Sequence, residues 1–311
     1  MMKLPRLVIF GEALTDFIRD DTNRWHSVAG GACWNVARVG ARLGTPTGFA
    51  GAVSADIFGD ELMRKSAEAG LDMRFTQQVD RPPLLAMVVE TRPPKYFFIG
   101  ENSADLAFDP AALPSDWLDA AEIVHFGCLG LVREPLASRL IDIALAARAA
   151  GKRISFDPNF RAPMADPSYR DTLRTMIGLS DYIKVSDEDL AGLFPAFDEA
   201  AALAQIRAWA PRAAVLVTRG AAGMELFAGD ETLVQPGFKV TVADTVGCGD
   251  ACVGSWMASL LTRPEAPATE HLRFAAACAA LVASHAGAYA PTAAEVHALI
   301  ESAHASTSEA P

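Results

Sequence analysis

The seven residues Asp244-Thr245-Val246-Gly247-Cys248-Gly249-Asp250 carry the strongest chemical signal in this 311-residue chain. They stand between an apolar, β-branched run, Phe238 to Val242, and a helical pattern that starts near Ala251. A turn of small residues leading into a helix presents several backbone N–H groups at one point. With the positive end of the helix dipole, those groups form a site for phosphate or a developing anion. Asp250 closes the turn. A carboxylate beside an anion cradle is what phosphoryl transfer to an alcohol needs. Taken alone, the pattern is equally a tight turn with an N-cap aspartate. Two other phosphate motifs are excluded. A dinucleotide fingerprint needs a third glycine where Cys252 stands. The one Gly-Lys pair, Gly151-Lys152, is followed by Arg153 rather than the Ser or Thr of a Walker A loop.

A second glycine turn lies near the start of the chain, Ala29-Gly30-Gly31-Ala32-Cys33-Trp34-Asn35. Its glycines allow a ligand to approach the backbone. Asn35 falls in the first turn of the helix that follows, although asparagine is a modest helix former. An amide there can donate to and accept from ligand hydroxyls, or it can serve as a satisfied cap.

The elements that must position these turns alternate. Leu7 to Phe10 is a continuous apolar run, as expected of a strand covered on both faces. A helix follows from Gly30 to Leu43, a strand from Thr47 to Val53, and a helix from Phe58 to Ala69 closed by Gly70. Strands are expected at Ile123–Phe126, Arg153–Phe156, Tyr182–Val185 and Ala214–Val217, then short strands to Val242. Helices are expected at Pro135–Ala150 and Tyr169–Leu179, with three more from Ala251 onward. This alternation predicts an α/β fold with a doubly wound, mostly parallel sheet covered by helices on both faces. Thr15–Val28 and Leu84–Gly100 break the rhythm. The second reads as two strands around a turn at Arg92-Pro93-Pro94-Lys95, and the two segments together suggest a small separate β-sheet. Ala305 to Pro311 reads as a frayed tail.

Composition narrows the function classes. The chain is 51% hydrophobic and 21% charged, with a formal net charge of -11. The absence of a basic run argues against nucleic-acid binding. No stretch reads as a membrane span and the first residues show no signal-peptide pattern. The five cysteines (33, 128, 248, 252, 278) are scattered without metal-ligand spacing. A reduced cytoplasmic setting is the expectation.

The Gly-Gly-x-x-x-Asn turn together with the late Asp-Thr-x-Gly-x-Gly-Asp turn resembles the two signatures of the ribokinase/PfkB family of carbohydrate kinases. The resemblance runs over essentially the whole chain. Gly11-Glu12-Ala13-Leu14-Thr15-Asp16-Phe17 resembles the family's first strand and its sugar-binding aspartate. Ser103-Ala104-Asp105, His125-Phe126-Gly127, Asp157-Pro158-Asn159-Phe160-Arg161 and Lys184-Val185-Ser186-Asp187-Glu188-Asp189 resemble the fructokinase-like branch. Thr218-Arg219-Gly220-Ala221-Ala222-Gly223 resembles its nucleotide-binding turn.

The resemblance implies one ribokinase-like domain over residues 1–311 with a β-sheet lid from about 16–28 and 73–101. It implies transfer of the γ-phosphate of ATP, with Mg²⁺, to a sugar hydroxyl. Asp250 would be the base, and the amides of Gly247, Cys248 and Gly249 the anion hole. Asp16, Gly30, Gly31, Asn35 and Arg161 would hold the sugar. Lys184, Ser186, Thr218, Gly220, Gly223 and Asn159 would serve ATP. Ser186 and Asp189 stand where much of the family has an Asn and a Glu that organise metal, so the metal ligands stay open, with Asp189 and Asp244 as candidates. Asp244 is also a candidate for a monovalent cation such as K⁺. Trp34 would wall the sugar pocket or pack in the core. The Cys248 thiol, at a helix N-terminus, is a candidate for acidification. His125 and His285 read as structural. The expected acceptor is a ketohexose, fructose first, with 2-keto-3-deoxygluconate as the alternative. A catalytically silent sugar- or nucleotide-binding protein is the alternative of another class. A homodimer formed through the lid is expected.

Overall fold

A computed structural model describes residues 3–91 and 94–308, without the side chains of 90–96 and 304–308. In chain order the strands are β1 (Leu7–Phe10), β2 (Leu14–Arg19), β3 (Trp25–Gly30), β4 (Thr47–Ser54), β5 (Thr76–Val79), β6 (Leu85–Thr91), β7 (Pro94–Ile99), β8 (Ile123–Gly127), β9 (Arg153–Asp157), β10 (Tyr182–Ser186), β11 (Ala214–Thr218), β12 (Met224–Ala228) and β13 (Glu231–Gln235). The helices are α1 (Ala32–Arg42), α2 (Ile57–Ala69), α3 (Trp117–Ala120), α4 (Leu136–Ala149), α5 (Tyr169–Leu179), α6 (Asp187–Leu193), α7 (Glu199–Trp209), α8 (Cys248–Thr262), α9 (Ala268–Ala283) and α10 (Ala293–Ser308).

Nine strands form one sheet in the order β13-β12-β11-β10-β9-β8-β1-β4-β5. From β5 to β11 every pairing is parallel, and β12 and β13 add antiparallel at one edge. The alternation along β1 divides the core. Val8 and Phe10 join Leu140, Met176, Ile177 and Ile206 of α4, α5 and α7 on one face. Leu7 and Ile9 join Trp34, Trp256 and Leu272 of α1, α8 and α9 on the other. All four are fully buried, which is why the strand reads as a continuous apolar run. Helix α8 is buried almost all round, so its sequence lacks a polar stripe.

Four strands form a second, smaller sheet in the order β3-β2-β6-β7. It is narrower than the expected 73–101 span, because β5 pairs with β4 and belongs to the large sheet. Arg133 fastens the return from β7, donating to the Gly100 carbonyl and pairing with buried Asp105. The turn expected at Arg92-Pro93 lies outside the described residues.

Three other expectations change. Phe238 to Val242 forms no strand. Pro236-Gly237 breaks the chain after β13, already the sheet edge, and Val242 is left 59% exposed without a pairing partner. Helices α6 and α7 were not anticipated. At the C-terminus, α10 runs to Ser308, so residues 305–308 are helical; 309–311 lie outside the described residues.

Candidate active site

The two glycine turns meet because α1 packs against α8. A Cβ at Gly254 would sit 2.7 Å from the Val36 carbonyl oxygen, so only glycine permits this approach of the two helices. Asn35, in the first turn of α1, thereby reaches Asp250, in the first turn of α8. Its Nδ2 donates to Asp250 Oδ2 at 2.8 Å. The Asn35 carbonyl oxygen is buried without a partner among the described residues, leaving an acceptor for a hydroxyl.

The turn before α8 is held from behind. The Val246 and Gly287 amides donate to the two oxygens of Asp244 at 3.1 and 3.0 Å. Gly247, in the left-handed region at φ 80°, caps the helix. Among the described residues the amides of Gly247 and Gly249 have no acceptor, as expected at a helix N-terminus. Cys248 differs from expectation twice. Its amide turns to the Thr245 carbonyl at 3.3 Å, which takes it out of the set of free donors. Its thiol is not acidified. Burial, then Asp250 and Asp244, push it up to about 12.

Asp250 is buried, and burial raises its proton affinity; the Asn35 amide, Arg161 and Lys184 oppose that rise. Asp16 lies within β2 of the small sheet, opposite Val28 and Ala86. Its carboxylate occupies the space a side chain at residue 30 would need. A Cβ on Gly30 would meet Asp16 Oδ2 at 2.4 Å. Burial pushes Asp16 up to about 6, Arg161 pulls it down and Asp250 pushes it up. Gly31, at φ 110°, is the N-cap of α1. Asp16, Gly30, Gly31, Asn35, Arg161 and Asp250 therefore surround one site.

The residues expected at the nucleotide divide. Thr218 ends β11 in register with Ser186 of β10, and Gly220 and Gly223 shape the turn that follows Thr218. Lys184 is instead interior. Its Nζ lies 3.2 Å from Asp157 Oδ2 and 3.6 Å from Asp189 Oδ2, directly behind Gly249. Ser186 caps α6, accepting from the Asp189 amide at 2.9 Å, and Asp189 completes a capping box through the Ser186 amide. Asp189 Oδ1 accepts from the Phe160 amide at 2.8 Å. Both Asp189 oxygens are thus engaged by backbone amides. Among the described residues no group of three or more His, Cys, Asp or Glu is placed to hold a metal ion. A divalent ion here would rest chiefly on phosphate and water oxygens.

Trp34 faces the core, fully buried, with its indole N–H on Ser66 Oγ at 2.8 Å, so it does not wall the sugar pocket. His125 is structural as expected, bonded to Ser155 Oγ at 2.9 Å, with burial pushing it down to about 3. His285 stacks on Tyr289. Sequence reasoning assigned no role to Asp157. It ends β9, accepts from the Asn159 amide and pairs with Lys184. The signal was an aspartate at a strand's carboxyl end inside an already noted motif. No helix among the described residues is long and apolar enough to cross a membrane.

Comparison with known proteins identifies the family. A family model described as pfkB family carbohydrate kinase matches residues 4–295. The chain is 31% identical over 292 residues to fructokinase of Klebsiella pneumoniae, covering 91% of this chain and 94% of that one. The crystal structure of fructokinase with bound ATP from Xylella fastidiosa matches with a TM-score of 0.88 at 29% identity, over 97% of this chain and 100% of that one. Fructokinase from Vibrio cholerae O395, crystallised with fructose, ADP and calcium ion, matches with a TM-score of 0.83 at 26% identity, over 95% and 99%. A double mutant of that enzyme holds fructose, ADP and potassium ion, with a TM-score of 0.84 at 26% identity over 96% and 99%. A family match that takes in both glycine turns and every strand between them leaves one assignment: the chain belongs to the pfkB family of carbohydrate kinases.

Proposed function

We propose that this carbohydrate kinase transfers the γ-phosphate of ATP to a hydroxyl of fructose. The observation that carries the reading is Asp250, buried in the first turn of α8 beside the free amides of Gly247 and Gly249 and gripped by Asn35. In this reading Asp250 takes the proton of the attacking hydroxyl as the new O–P bond forms and the bond from the γ-phosphorus to the β,γ-bridging oxygen breaks, releasing ADP. The amides and the helix N-terminus stabilise charge on the moving phosphoryl group. Asp16 and the Asn35 carbonyl orient the sugar hydroxyls, with Gly30 and Gly31 allowing close approach. Thr218, Gly220 and Gly223 line the nucleotide side, and Lys184 supplies positive field from behind Gly249. A divalent ion such as Mg²⁺, bound with ATP mainly through phosphate and water oxygens, would screen the phosphate charge. Use of a monovalent ion, with Asp244 and neighbouring carbonyls as the candidate ligands, belongs to the same reading; the Vibrio cholerae double mutant was crystallised with potassium ion.

A neutral acceptor fits the sugar side better than a phosphosugar or a sugar acid. Among the described side chains its cation is Arg161, whose Nη1 already donates to the Asn159 and Phe160 carbonyls and to Asn159 Oδ1. A phosphosugar site needs a denser Arg/Lys cluster. The small sheet that carries Asp16 acts as a lid that excludes water. Its exposed outer residues Phe97 and Ile99 support pairing of two copies. Five free cysteines fit a reduced cytoplasmic setting. The test is ADP release with ATP–Mg²⁺ over fructose, ribose, adenosine, fructose 6-phosphate and 2-keto-3-deoxygluconate. The highest kcat/KM is expected for fructose. A preference for the keto acid or for a phosphosugar overturns the acceptor but not the chemistry. No turnover on any acceptor overturns both.

A further inference from the structure

Asn159 holds a position its backbone alone makes unusual. It lies in the left-handed region at φ 44°, where asparagine is among the few tolerated side chains. Several contacts fix it there. Its amide N–H donates to Asp157 Oδ1 at 2.9 Å, and Asp157 is itself anchored by Lys184. Arg161 Nη1 approaches its side-chain oxygen at 2.7 Å. A guanidinium only donates, so this contact fixes which end of the Asn159 amide is oxygen. The nitrogen must then face the other way. It faces Asp250, with Nδ2 3.5 Å from Oδ1.

Asn35 already donates to Asp250 Oδ2 at 2.8 Å. The two carboxylate oxygens thus each face one amide N–H, from α1 on one side and from the loop after β9 on the other. We propose that Asn159, aimed by Arg161, is a positioning residue for the catalytic carboxylate rather than a nucleotide ligand, and that Asn35 and Asn159 together fix the plane in which Asp250 meets the acceptor hydroxyl. This rests on the reading of Asp250 as the base. A 3.5 Å contact is of the length seen in unliganded sites whose hydrogen bonds tighten with substrate.

The clamp also acts on charge. Asp250 faces the cations Arg161 and Lys184, the carboxyls Asp16 and Asp157, and the thiols Cys33, Cys128 and Cys248. Burial favours its protonated form. An N–H aimed at each oxygen favours the ionised one. Removing the Asn159 amide therefore raises the proton affinity of the base.

The test is the pH profile of kcat/KM for fructose, with KM for ATP measured alongside, in wild type, Asn159→Gly and Asn159→Asp. Glycine accepts the left-handed backbone and deletes the amide. Aspartate keeps the shape and replaces the donor with an acceptor. The acidic limb should move up by about half to one pH unit in Asn159→Gly and further in Asn159→Asp. Meanwhile kcat above the limb falls about tenfold and KM for ATP stays within about threefold. An acidic limb that stays at its wild-type pH in both variants, with KM for ATP raised, overturns the proposal and makes Asn159 a nucleotide ligand. Failure of the underlying reading would show separately, as an Asp250→Asn enzyme that keeps its turnover.

Discussion

The amide nitrogen of Asn35 lies 2.8 Å from Oδ2 of Asp250, although 215 positions separate the two residues. One belongs to the first turn of α1 and the other to the first turn of α8. The contact brings the two glycine turns together at one buried carboxylate.

Replacement of Asp250 by Asn tests that carboxylate. The amide keeps the shape but cannot take a proton. Turnover should fall by about 10²–10⁴, with KM for fructose and for ATP changing far less. An Asp250→Asn enzyme at wild-type kcat, measured by ADP release, would remove the base assignment.

Asp16 is expected to act on the sugar alone. It sits on β2 of the small sheet, whereas Ser186 and Thr218 end β10 and β11 of the large one. Asp16→Ala should raise KM for fructose by about tenfold or more, as expected when a charged hydrogen-bond partner is lost, and leave KM for ATP within about twofold. Equal weakening of both ligands, or of neither, contradicts the placement.

Much of this was legible in the sequence, for physical reasons. A fully buried strand must be apolar throughout, so β1 announces itself, and α5 runs over the expected Tyr169–Leu179. Glycines mark both turns where Gly31 and Gly247 take positive φ. Helix α6 was hidden because its capping box, Ser186 with Asp189, was read as ligand chemistry. The run from Phe238 misled because β-branched composition makes a strand only where a neighbour offers hydrogen bonds. The link from Asn159 to Asp250 spans 91 positions and depends on which way an amide is turned. Only Arg161 decides that, and only in three dimensions.

A buried acid outside the reaction gives a pH signature. Glu12 is 1% exposed; its Oε2 accepts from the Gly130 amide at 3.0 Å and its Oε1 has no partner among the described residues. Burial pushes it from 4.5 up to about 7, against the Gly130 amide and the Cys128 thiol. A raised carboxyl keeps its proton in the folded state after the unfolded chain has lost it. The stability it contributes is thus complete below the unfolded value, is lost as pH rises between 4.5 and about 7, and is absent above. The full change is about 3 kcal/mol. Tm should fall as pH is raised from 5.5 to 8, and Glu12→Gln should flatten that fall by several degrees. Parallel curves for the two proteins would show that Glu12 ionises alike in both states.

The outer face of the small sheet should decide the oligomeric state. Side chains alternate across a strand, so the face opposite Asp16 carries Phe17, Trp25, Phe97 and Ile99. Phe17 packs edge-on against Phe58 of α2. Trp25, Phe97 and Ile99 remain 42%, 52% and 49% exposed, and Ile57 at the start of α2 is 76% exposed. A cavity of about 350 Å³ opens where the sheet meets α2, lined in part by Thr15, Ser27, Ile57 and Phe58. Apolar side chains exposed on one face favour an interface, and an isologous pairing through this face would close as a dimer. Sedimentation velocity at micromolar concentration should show a dimer. Phe97→Asp combined with Ile99→Asp should shift it to monomer, because two charges buried against their copies cost more than the interface returns. Since the same small sheet bears Asp16, the monomer should also show a raised KM for fructose with KM for ATP unchanged. A monomeric wild-type protein would remove the dimer and leave the kinase chemistry standing.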